Sequence, residues 1–302
     1  MKLFILSKNP ETYFSSRDMK LFRQKATEVV VLTAGFTKDK EVLLANNKPC
    51  LVALDPDYSH WQFGKKEIDL ISRLKVVSLQ TSSSDWVNQA YLKKKKIRLV
   101  YIENVFANAV AEWLVMSSLI LLRRVPLMIK SAFQQEDYTQ NAFLELEGKT
   151  VGILGLGRIG TRTAEKFVGL GAKVIYWSRR TRDKRFSYKD IDEILYQSDV
   201  LIIALAKNSQ TTKLINNLNY DLLKPTSIVL SAETTFINQM KLQNLLNRNE
   251  IYGYAWEREG IDVKFTSYKG NAWITPQYAW FTQEALSRGN DEWKRLILQE
   301  LG

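Results

Sequence analysis

A glycine-rich turn constrains this chain more than any other segment. The apolar residues 150–154 lead into Gly155, Gly157 and Gly160, which have the spacing Gly-x-Gly-x-x-Gly and precede the helix-compatible residues 161–170. In a strand–turn–helix unit these glycines permit a tight turn, close approach of the backbone to a pyrophosphate and close packing of helix on strand. The helix N-terminus adds amide donors and partial positive charge. The pattern predicts a dinucleotide-binding loop formed by Gly155, Leu156, Gly157, Arg158, Ile159 and Gly160.

The next apolar segment indicates which dinucleotide binds. Residues 172–177 end in Ser178, Arg179 and Arg180, with no acidic residue at the end of the segment. A carboxylate there would hold a ribose 2′-hydroxyl, whereas arginine accommodates a 2′-phosphate. The alternative is a solvated basic loop that continues through residues 182–185. We predict that Ser178, Arg179 and Arg180 contact the cofactor and that NADP(H) is favoured over NAD(H).

Length and composition favour two ordinary domains. The chain has 302 residues, of which 45% are hydrophobic, and this is enough to fill two cores. The single cysteine, Cys50, lies in an apolar stretch and can form no disulfide within the chain, which is typical of a reducing compartment. The longest apolar run, residues 113–122, is shorter than the roughly 20 residues that span a bilayer. We therefore expect a cytoplasmic protein with no membrane partner.

The chain is basic, with a net charge of +11, so an anionic partner is possible. Its densest basic run, residues 93–96, is followed at once by the apolar residues 97–101. This arrangement is typical of a solvated helix end that leads into a strand. Because no nucleic-acid-binding motif accompanies the run, we do not expect nucleic acid to bind there. We also predict no metal site.

Short apolar segments alternate with helix-compatible stretches along the whole chain, which is the pattern of parallel sheets with crossover helices. A longer helix is predicted over residues 108–123, stopped by Pro126, between two such series. Ala204, at the end of an apolar segment of the second series, and Glu257 are further predicted cofactor contacts. The pattern of residues 282–301 predicts a C-terminal helix, which we expect to return to the first domain. The predicted strands are residues 3–6, 29–33, 51–54, 76–79, 99–102, 151–154, 173–177, 200–205, 228–230, 253–256 and 273–275.

Several motifs occur in a fixed order over some 200 residues, and they lie in residues 74–85, 110–112, 151–160, 198–212, 222–225 and 275–276. In this order the chain resembles the D-isomer-specific 2-hydroxyacid dehydrogenase family. Trp177-Ser178-Arg179 is similar to the NADPH-preferring glyoxylate and hydroxypyruvate reductases of that family. The resemblance implies an α/β fold of two domains. These are a flavodoxin-like substrate domain, residues 1–100 plus 278–302, and a Rossmann doubly wound parallel-sheet cofactor domain, residues 101–277.

The resemblance also implies where catalytic residues lie. Family members use an arginine that clamps the substrate, a histidine that exchanges the proton and a glutamate that tunes the histidine. The arginine position falls on Thr234, and the histidine position, after Thr-Pro, falls on Gln277. Glu257 occupies the place of the aspartate beside the nicotinamide, and Asp262 the place of the glutamate. Glu259 is the alternative if the loop is shifted.

These substitutions put ordinary family chemistry in doubt. Gln277 cannot give up a proton near neutral pH, and Thr234 cannot form a guanidinium–carboxylate fork. The only histidine, His60, lies far from every catalytic motif and is interpreted as a loop residue. Two hypotheses remain. One is an NADP(H)-dependent oxidoreductase on an altered substrate, with the proton supplied by a substrate group, Tyr278 or water. The other is a pseudoenzyme that senses nucleotide or binds a partner.

Two further expectations follow from the resemblance. The backbone amides of Ser82, Ser83 and Ser84 occupy the segment that receives a substrate carboxylate, so a small anionic substrate is expected. The alternative is a polar turn that caps a helix starting near Asp85. The family forms dimers through the cofactor domain, and the apolar residues of the helix predicted at 108–123 are compatible with a homodimer.

Overall fold

The computed structural model describes residues 1–130, 142–231, 238–258 and 269–302. The chain forms two compact units. Unit 1 consists of Met1–Phe106 and Gln283–Gly302, and unit 2 consists of Ala107–Thr282. The chain passes from one unit to the other after residues 106 and 282. The sequence suggests these boundaries a few residues earlier, after residues 100 and 277.

Unit 1 contains a five-stranded sheet in which every strand is parallel to its neighbours, in the order β2-β1-β3-β4-β5. This is the flavodoxin-like order, and its topological switch point lies between β1 and β3. The predicted flavodoxin-like fold is confirmed. The strands are β1 Lys2–Leu6, β2 Glu28–Leu32, β3 Cys50–Leu54, β4 Leu74–Leu79 and β5 Arg98–Tyr101.

Helices cover both faces of this sheet. The C-terminal helix belongs to unit 1, where the fully buried Trp293 donates its indole N–H to the carbonyl of Ser78 at 3.3 Å. Cys50 is also buried, which raises the pKa of its thiol to about 11. The helices are α1 Ser16–Lys25, α2 Phe36–Leu44, α3 Lys65–Leu70, α4 Gln89–Lys94 and, at the C-terminus, α11 Gln283–Leu301. Short 3-10 turns lie at Pro10–Thr12 and Pro56–Ser59.

One predicted helix start is wrong. The alternative interpretation of the serine run as a turn that caps a helix starting near Asp85 does not hold, because α4 begins at Gln89. Asn88 is its N-cap, and its side-chain oxygen accepts from the amide of Tyr91 at 3.0 Å. The residues before it form a turn, in which the Val87 amide donates to the carbonyl of Ser84 at 3.2 Å, and Val87 forms a parallel bridge with Phe63.

Unit 2 contains a seven-stranded sheet, again parallel throughout, in the order β12-β11-β10-β9-β6-β7-β8. The chain winds outward from β6 in both directions, so the switch point lies between β6 and β9. The predicted doubly wound Rossmann sheet is confirmed. The strands are β6 Thr150–Leu154, β7 Lys173–Trp177, β8 Ser187–Tyr188, β9 Val200–Ile203, β10 Ile228–Ser231, β11 Gly253–Arg258 and β12 Ala272–Pro276.

The helices of unit 2 bury the apolar strands on both faces, as parallel sheets require. The helix predicted over residues 108–123 is observed as Ala107–Leu122, which ends before Pro126. Pro126 lies in the first turn of the next helix, a position that tolerates proline because an N–H there would have no intrahelical partner. No helix among the described residues is both long and apolar enough to cross a membrane. The helices are α5 Ala107–Leu122, α6 Val125–Lys130, α7 Arg158–Gly169, α8 Ile191–Gln197, α9 Ser209–Asn216 and α10 Gln239–Asn247, with a 3-10 turn at Tyr220–Leu222.

Candidate nucleotide-binding and active site

Two glycines of the loop after β6 are required by the backbone itself. Gly155 has a φ of +101°, and a Cβ at this residue would lie 2.8 Å from the carbonyl oxygen of Ala204. A Cβ at Gly160 would lie 2.0 Å from the carbonyl oxygen of Gly155. Side chains at these positions are thus excluded by the tight turn and by the packing of α7 on the strand. Ala204 directly follows β9. Its backbone N–H donates a hydrogen bond to the carbonyl of Leu154 at 2.9 Å, which fixes its position.

Gly157 is different, because the fold does not require it. It is the N-cap of α7 with an extended backbone, and no side chain caps the helix there. A Cβ at Gly157 would have no described atom within 4 Å. The open space in front of this glycine, next to the first amides of a 12-residue helix, is what a pyrophosphate needs.

Arg179 and Arg180 lie at the carboxyl end of β7, where a ribose substituent is expected. Ser178 is buried, and its hydroxyl oxygen accepts from the amide of Thr181 at 3.3 Å. Both arginines are exposed. The Arg179 guanidinium donates to the side-chain oxygen of Gln210 in the first turn of α9, and Arg180 makes no hydrogen bond or ion pair with any described residue. Two guanidinium groups therefore stand at this position with no carboxylate partner in the described chain.

The other arginines of the segment make contacts within the protein. The Arg182 guanidinium stacks 3.9 Å from the ring centre of Tyr188. Arg185 pairs with the carboxylates of Asp183 and Glu165, each at 2.7 Å, and holds the pKa of both acids below its ordinary value. Arg182 and Arg185 are thus used in contacts within the protein. Arg179 and Arg180, which lie nearer the strand, have no carboxylate partner in the described chain.

The loop after β9 is organised by its own side chains. Asn208 caps α9 by accepting from the amides of Gln210 and Thr211 at 3.1 and 3.0 Å. The Thr211 hydroxyl donates to the carbonyl of Ala206 at 2.7 Å. Thr211, one of the family-like motif residues, therefore shapes the loop that places Ala204 beside the glycines.

Glu257 is a buried carboxylate near the end of β11. It is in register with Thr275 of β12, and its Oε1 accepts from the amide of Ala279 at 2.6 Å. This bond fixes the turn that carries Gln277, which follows β12 and is exposed. Glu257 thus supports the segment that holds the predicted catalytic position, a role that the sequence did not reveal because its partner lies 22 residues away.

The remaining predicted catalytic positions have different outcomes. Thr234 and Asp262 lie outside the described residues, as does the alternative Glu259, and they stay predictions. His60 is exposed and adopts a left-handed conformation at the end of the Pro56–Ser59 turn in unit 1. Within the described ranges, no group of three or more His, Cys, Asp or Glu side chains is arranged to hold a metal ion.

Ser82, Ser83 and Ser84 form the loop after β4 in unit 1. The Ser83 amide donates to the Thr81 hydroxyl oxygen at 3.1 Å, and the Ser83 hydroxyl bonds to the Asp85 carboxylate. The Ser84 hydroxyl oxygen accepts from the Gln89 amide group at 3.0 Å. Of the three amides expected to receive a carboxylate, only those of Ser82 and Ser84 lack a partner in the described chain.

Comparison with known proteins assigns the family. Residues 115–276, more than half of the chain, match the family model "D-isomer specific 2-hydroxyacid dehydrogenase, NAD binding domain". The chain is 27% identical over 290 residues to a glyoxylate reductase of Thermofilum pendens, covering 89% of this chain and 84% of that protein. It is also 27% identical over 237 residues to a D-2-hydroxyacid dehydrogenase (NAD+) of Lacticaseibacillus paracasei, covering 70% and 71%. The chain belongs to the D-isomer-specific 2-hydroxyacid dehydrogenase family of NAD(P)-binding oxidoreductases.

Solved structures show the same fold. An acyclic imino acid reductase in complex with NADPH and D-Arg superimposes with a TM-score of 0.78 at 23% identity, over 97% of this chain and 94% of the other. A glyoxylate reductase from Paecilomyes thermophila gives a TM-score of 0.78 at 17% identity, over 100% and 94%. At these identities the likeness is one of fold. With the family assignment, unit 2 is a domain for a nicotinamide nucleotide.

The different environments of the loop glycines predict different effects of alanine. We expect Gly157→Ala to lower the free energy of unfolding by only about 0.5–1 kcal/mol, because alanine is a poorer N-cap than glycine while the added methyl group meets no described atom. The same methyl group would stand where the phosphates approach. We expect the Kd for NADPH to rise at least about tenfold, equivalent to about 1.4 kcal/mol. Calorimetric titration and urea denaturation measure the two quantities.

Gly169→Ala is the matched control, because it also meets no described atom within 4 Å but lies at the far end of α7. It should leave the Kd unchanged and raise the free energy of unfolding by no more than about 1 kcal/mol, because alanine favours a helix over glycine. Unaltered NADPH affinity in the Gly157→Ala protein would show that the nucleotide phosphates do not approach this loop.

Proposed function

We propose that this protein is an NADP(H)-dependent reductase of C=N bonds, acting on 2-imino acids. The observation that carries the proposal is the combination of an intact phosphate loop with Gln277 at the end of β12. A nicotinamide can deliver hydride at such a site, but the side chain in the family's histidine position cannot deliver a proton.

The chemistry of imines removes the need for that proton. Hydride addition to a ketone leaves an alkoxide, which needs a general acid worth about 10²- to 10⁴-fold in rate. A protonated imine already carries its proton on nitrogen. Hydride addition to its carbon pushes the C=N electron pair onto that nitrogen and gives the amine, while NADPH becomes NADP⁺. The Gln277 side-chain oxygen can accept a hydrogen bond from the iminium N–H.

The preference for NADP(H) rests on Arg179 and Arg180. Both guanidinium groups are exposed at the end of β7, and Ser178 stands where a carboxylate would repel a 2′-phosphate. The structural relative that reduces imino acids is bound to NADPH, which supports both parts of the proposal. The substrate carboxylate is assigned to the amides of Ser82 and Ser84.

A second candidate is a pseudoenzyme that binds nucleotide without turnover. The observation that favours it is the Glu257 carboxylate, whose bond to the Ala279 amide gives this acid a structural role. A protein of this kind would bind NADP(H) and change its affinity for a partner protein when the nucleotide is present.

Amine dependence distinguishes imine reduction from keto-acid reduction. We expect NADPH oxidation with pyruvate or phenylpyruvate to rise at least about tenfold when methylamine is added, because the amine forms the imine and the iminium needs no general acid. Absorbance at the NADPH band measures the rate, and tert-butylamine, which condenses poorly, is the control amine.

The possible outcomes separate the candidates. Equal rates with and without methylamine would assign the activity to the ketone and contradict the imine proposal. Binding of NADPH by calorimetry with no oxidation in any mixture would favour the pseudoenzyme.

Charge reversal tests the cofactor preference. We expect Arg179→Asp combined with Arg180→Ser to weaken NADPH binding at least about tenfold more than NADH binding, since only NADPH carries the 2′-phosphate. Lys184→Asp is the control, because Lys184 is an exposed cation of the same segment. Calorimetric titration with both nucleotides gives the ratio. An equal loss for NADPH and NADH would remove the 2′-phosphate assignment.

We also propose that the protein is a homodimer through unit 2. A groove lies between α5 and α7; its apolar lining is formed by Val115, Met116, Leu119, Ile120 and Leu170, and Glu112, Lys166 and Gly169 complete it. Met116, Leu119 and Leu170 are each at least 40% exposed. Contiguous exposed apolar surface of this kind marks an association site, and the family resemblance favours a second copy as its occupant.

A charge in this groove should separate the subunits. We expect Met116→Asp to raise the dimer dissociation constant at least about tenfold, because a carboxylate would be buried without a partner. Sedimentation velocity measures the change. Met240→Asp is the control, since Met240 is 75% exposed on α10, outside this groove. A monomeric wild-type protein, or a dimer that tolerates Met116→Asp, would contradict the proposed interface.

A further inference from the structure

Two loops at the carboxyl edge of the unit 1 sheet are locked together. Residues 55–63 follow β3 and residues 80–88 follow β4. Phe63 and Val87 form a parallel bridge, in which the Phe63 amide donates to the carbonyl of Trp86 at 3.1 Å and the Asn88 amide donates to Phe63 at 3.0 Å. Side chains on these loops are therefore held in place, as a binding subsite requires.

The paired loops present two tryptophans. The rings of Trp61 and Trp86 meet edge to face, with centres 5.8 Å apart. The Trp86 indole N–H donates to the carbonyl of Ser83 at 3.0 Å, and that of Trp61 donates to the Asp57 carboxylate at 3.3 Å. Yet Trp61 is 48% exposed. An aromatic ring of this size, fixed by a hydrogen bond and a neighbouring ring, offers a rigid surface to a ligand.

The backbone that presents Trp61 is strained. His60 and Trp61 both have positive φ angles, 51° and 56°. The left-handed conformation costs a residue with a side chain about 1 kcal/mol or more, and such strain is concentrated at binding and catalytic sites. Burial of the tryptophan does not offset this strain, because half of its surface faces solvent.

The charge of the two loops is opposite to that of the protein. Residues 55–63 and 80–88 contain three aspartates and no Lys or Arg, although the chain has 43 Lys and Arg residues and a net charge of +11. Asp55 is buried and bonded to the Ser7 hydroxyl at 2.8 Å, whereas Asp57 and Asp85 are exposed beside the tryptophans. Exposed carboxylates next to an aromatic face attract a cation.

We propose that Trp61, Trp86, Asp57 and Asp85 form a subsite for the cationic side chain of the substrate, an ammonium or a guanidinium group. The proposal rests on the reductase function proposed above and names the class of substrate. Trp86 is bonded to Ser83, so the subsite adjoins the loop assigned to the substrate carboxylate. A 2-imino acid with a basic side chain would present its carboxylate to that loop and its cation to the tryptophans.

A pair of nearly isosteric substrates tests the subsite. The 2-keto acids of arginine and citrulline have side chains of similar shape, but only the guanidinium is charged. With methylamine and NADPH, we expect kcat/KM to be at least about tenfold higher for the arginine derivative. Trp61→Leu and Asp57→Asn should each lower this ratio at least about threefold, and Trp61→Phe should retain most of it.

Controls separate the subsite from the reaction. Tyr196→Leu removes a 66% exposed aromatic residue from unit 2 and should leave the ratio unchanged. Calorimetric titration of D-arginine and D-citrulline in the presence of NADP⁺ reports binding without turnover. D-arginine should bind at least about tenfold more tightly, and Trp61→Leu should remove the difference.

The outcomes distinguish the two proposals. Preferential binding of D-arginine that depends on Trp61, without NADPH oxidation by any substrate, would support the subsite and overturn the reductase. Turnover at equal kcat/KM for the two keto acids, or a ratio that survives Trp61→Leu and Asp57→Asn, would overturn the subsite and leave the reductase standing.

Discussion

The nucleotide site depends on the close approach of Gly160 to the carbonyl of Gly155. Because neither residue has a side chain, α7 begins directly above the end of β6 and beside Ala204 of the neighbouring strand. This packing leaves Gly157, at the N-terminus of the helix, with no described atom within 4 Å of where its side chain would begin. The same backbone geometry therefore satisfies the fold and creates the phosphate site, and the residues around it decide which nucleotide is bound and which reaction follows.

Some of those residues make contacts within the protein, and others are exposed at its surface. Arg185 is used in ion pairs, whereas Arg180 has no partner among the described residues. The Glu257 carboxylate is buried and holds the turn after β12, on which Gln277 and Tyr278 are exposed. The proposed imine reduction rests on the assignment of Gln277 to the family's histidine position, since a substrate that already carries its proton needs no general acid there.

The sequence predicts the fold well because parallel strands buried on both faces appear as continuous apolar segments. It fails where a contact joins distant residues. The start of α4 lies at Gln89 and not near Asp85, because residues 84–87 form a turn and Val87 pairs with the distant Phe63. The bond from the Ala279 amide to Glu257 and the contact between Trp61 and Trp86 cross 22 and 25 positions, and no local pattern encodes them. The glycine loop could be identified because its strand–turn–helix pattern lies within some ten consecutive residues, whereas the role of the two arginines stays a prediction.

The identity of the reaction product tests the central claim most directly. Purified protein would be incubated with NADPH, phenylpyruvate and isotopically labelled methylamine, and the product identified by mass spectrometry. We expect a labelled N-methyl amino acid, because hydride is delivered to a C=N carbon. Formation of the unlabelled 2-hydroxy acid would show that the protein reduces the ketone and would overturn the proposed imine reduction.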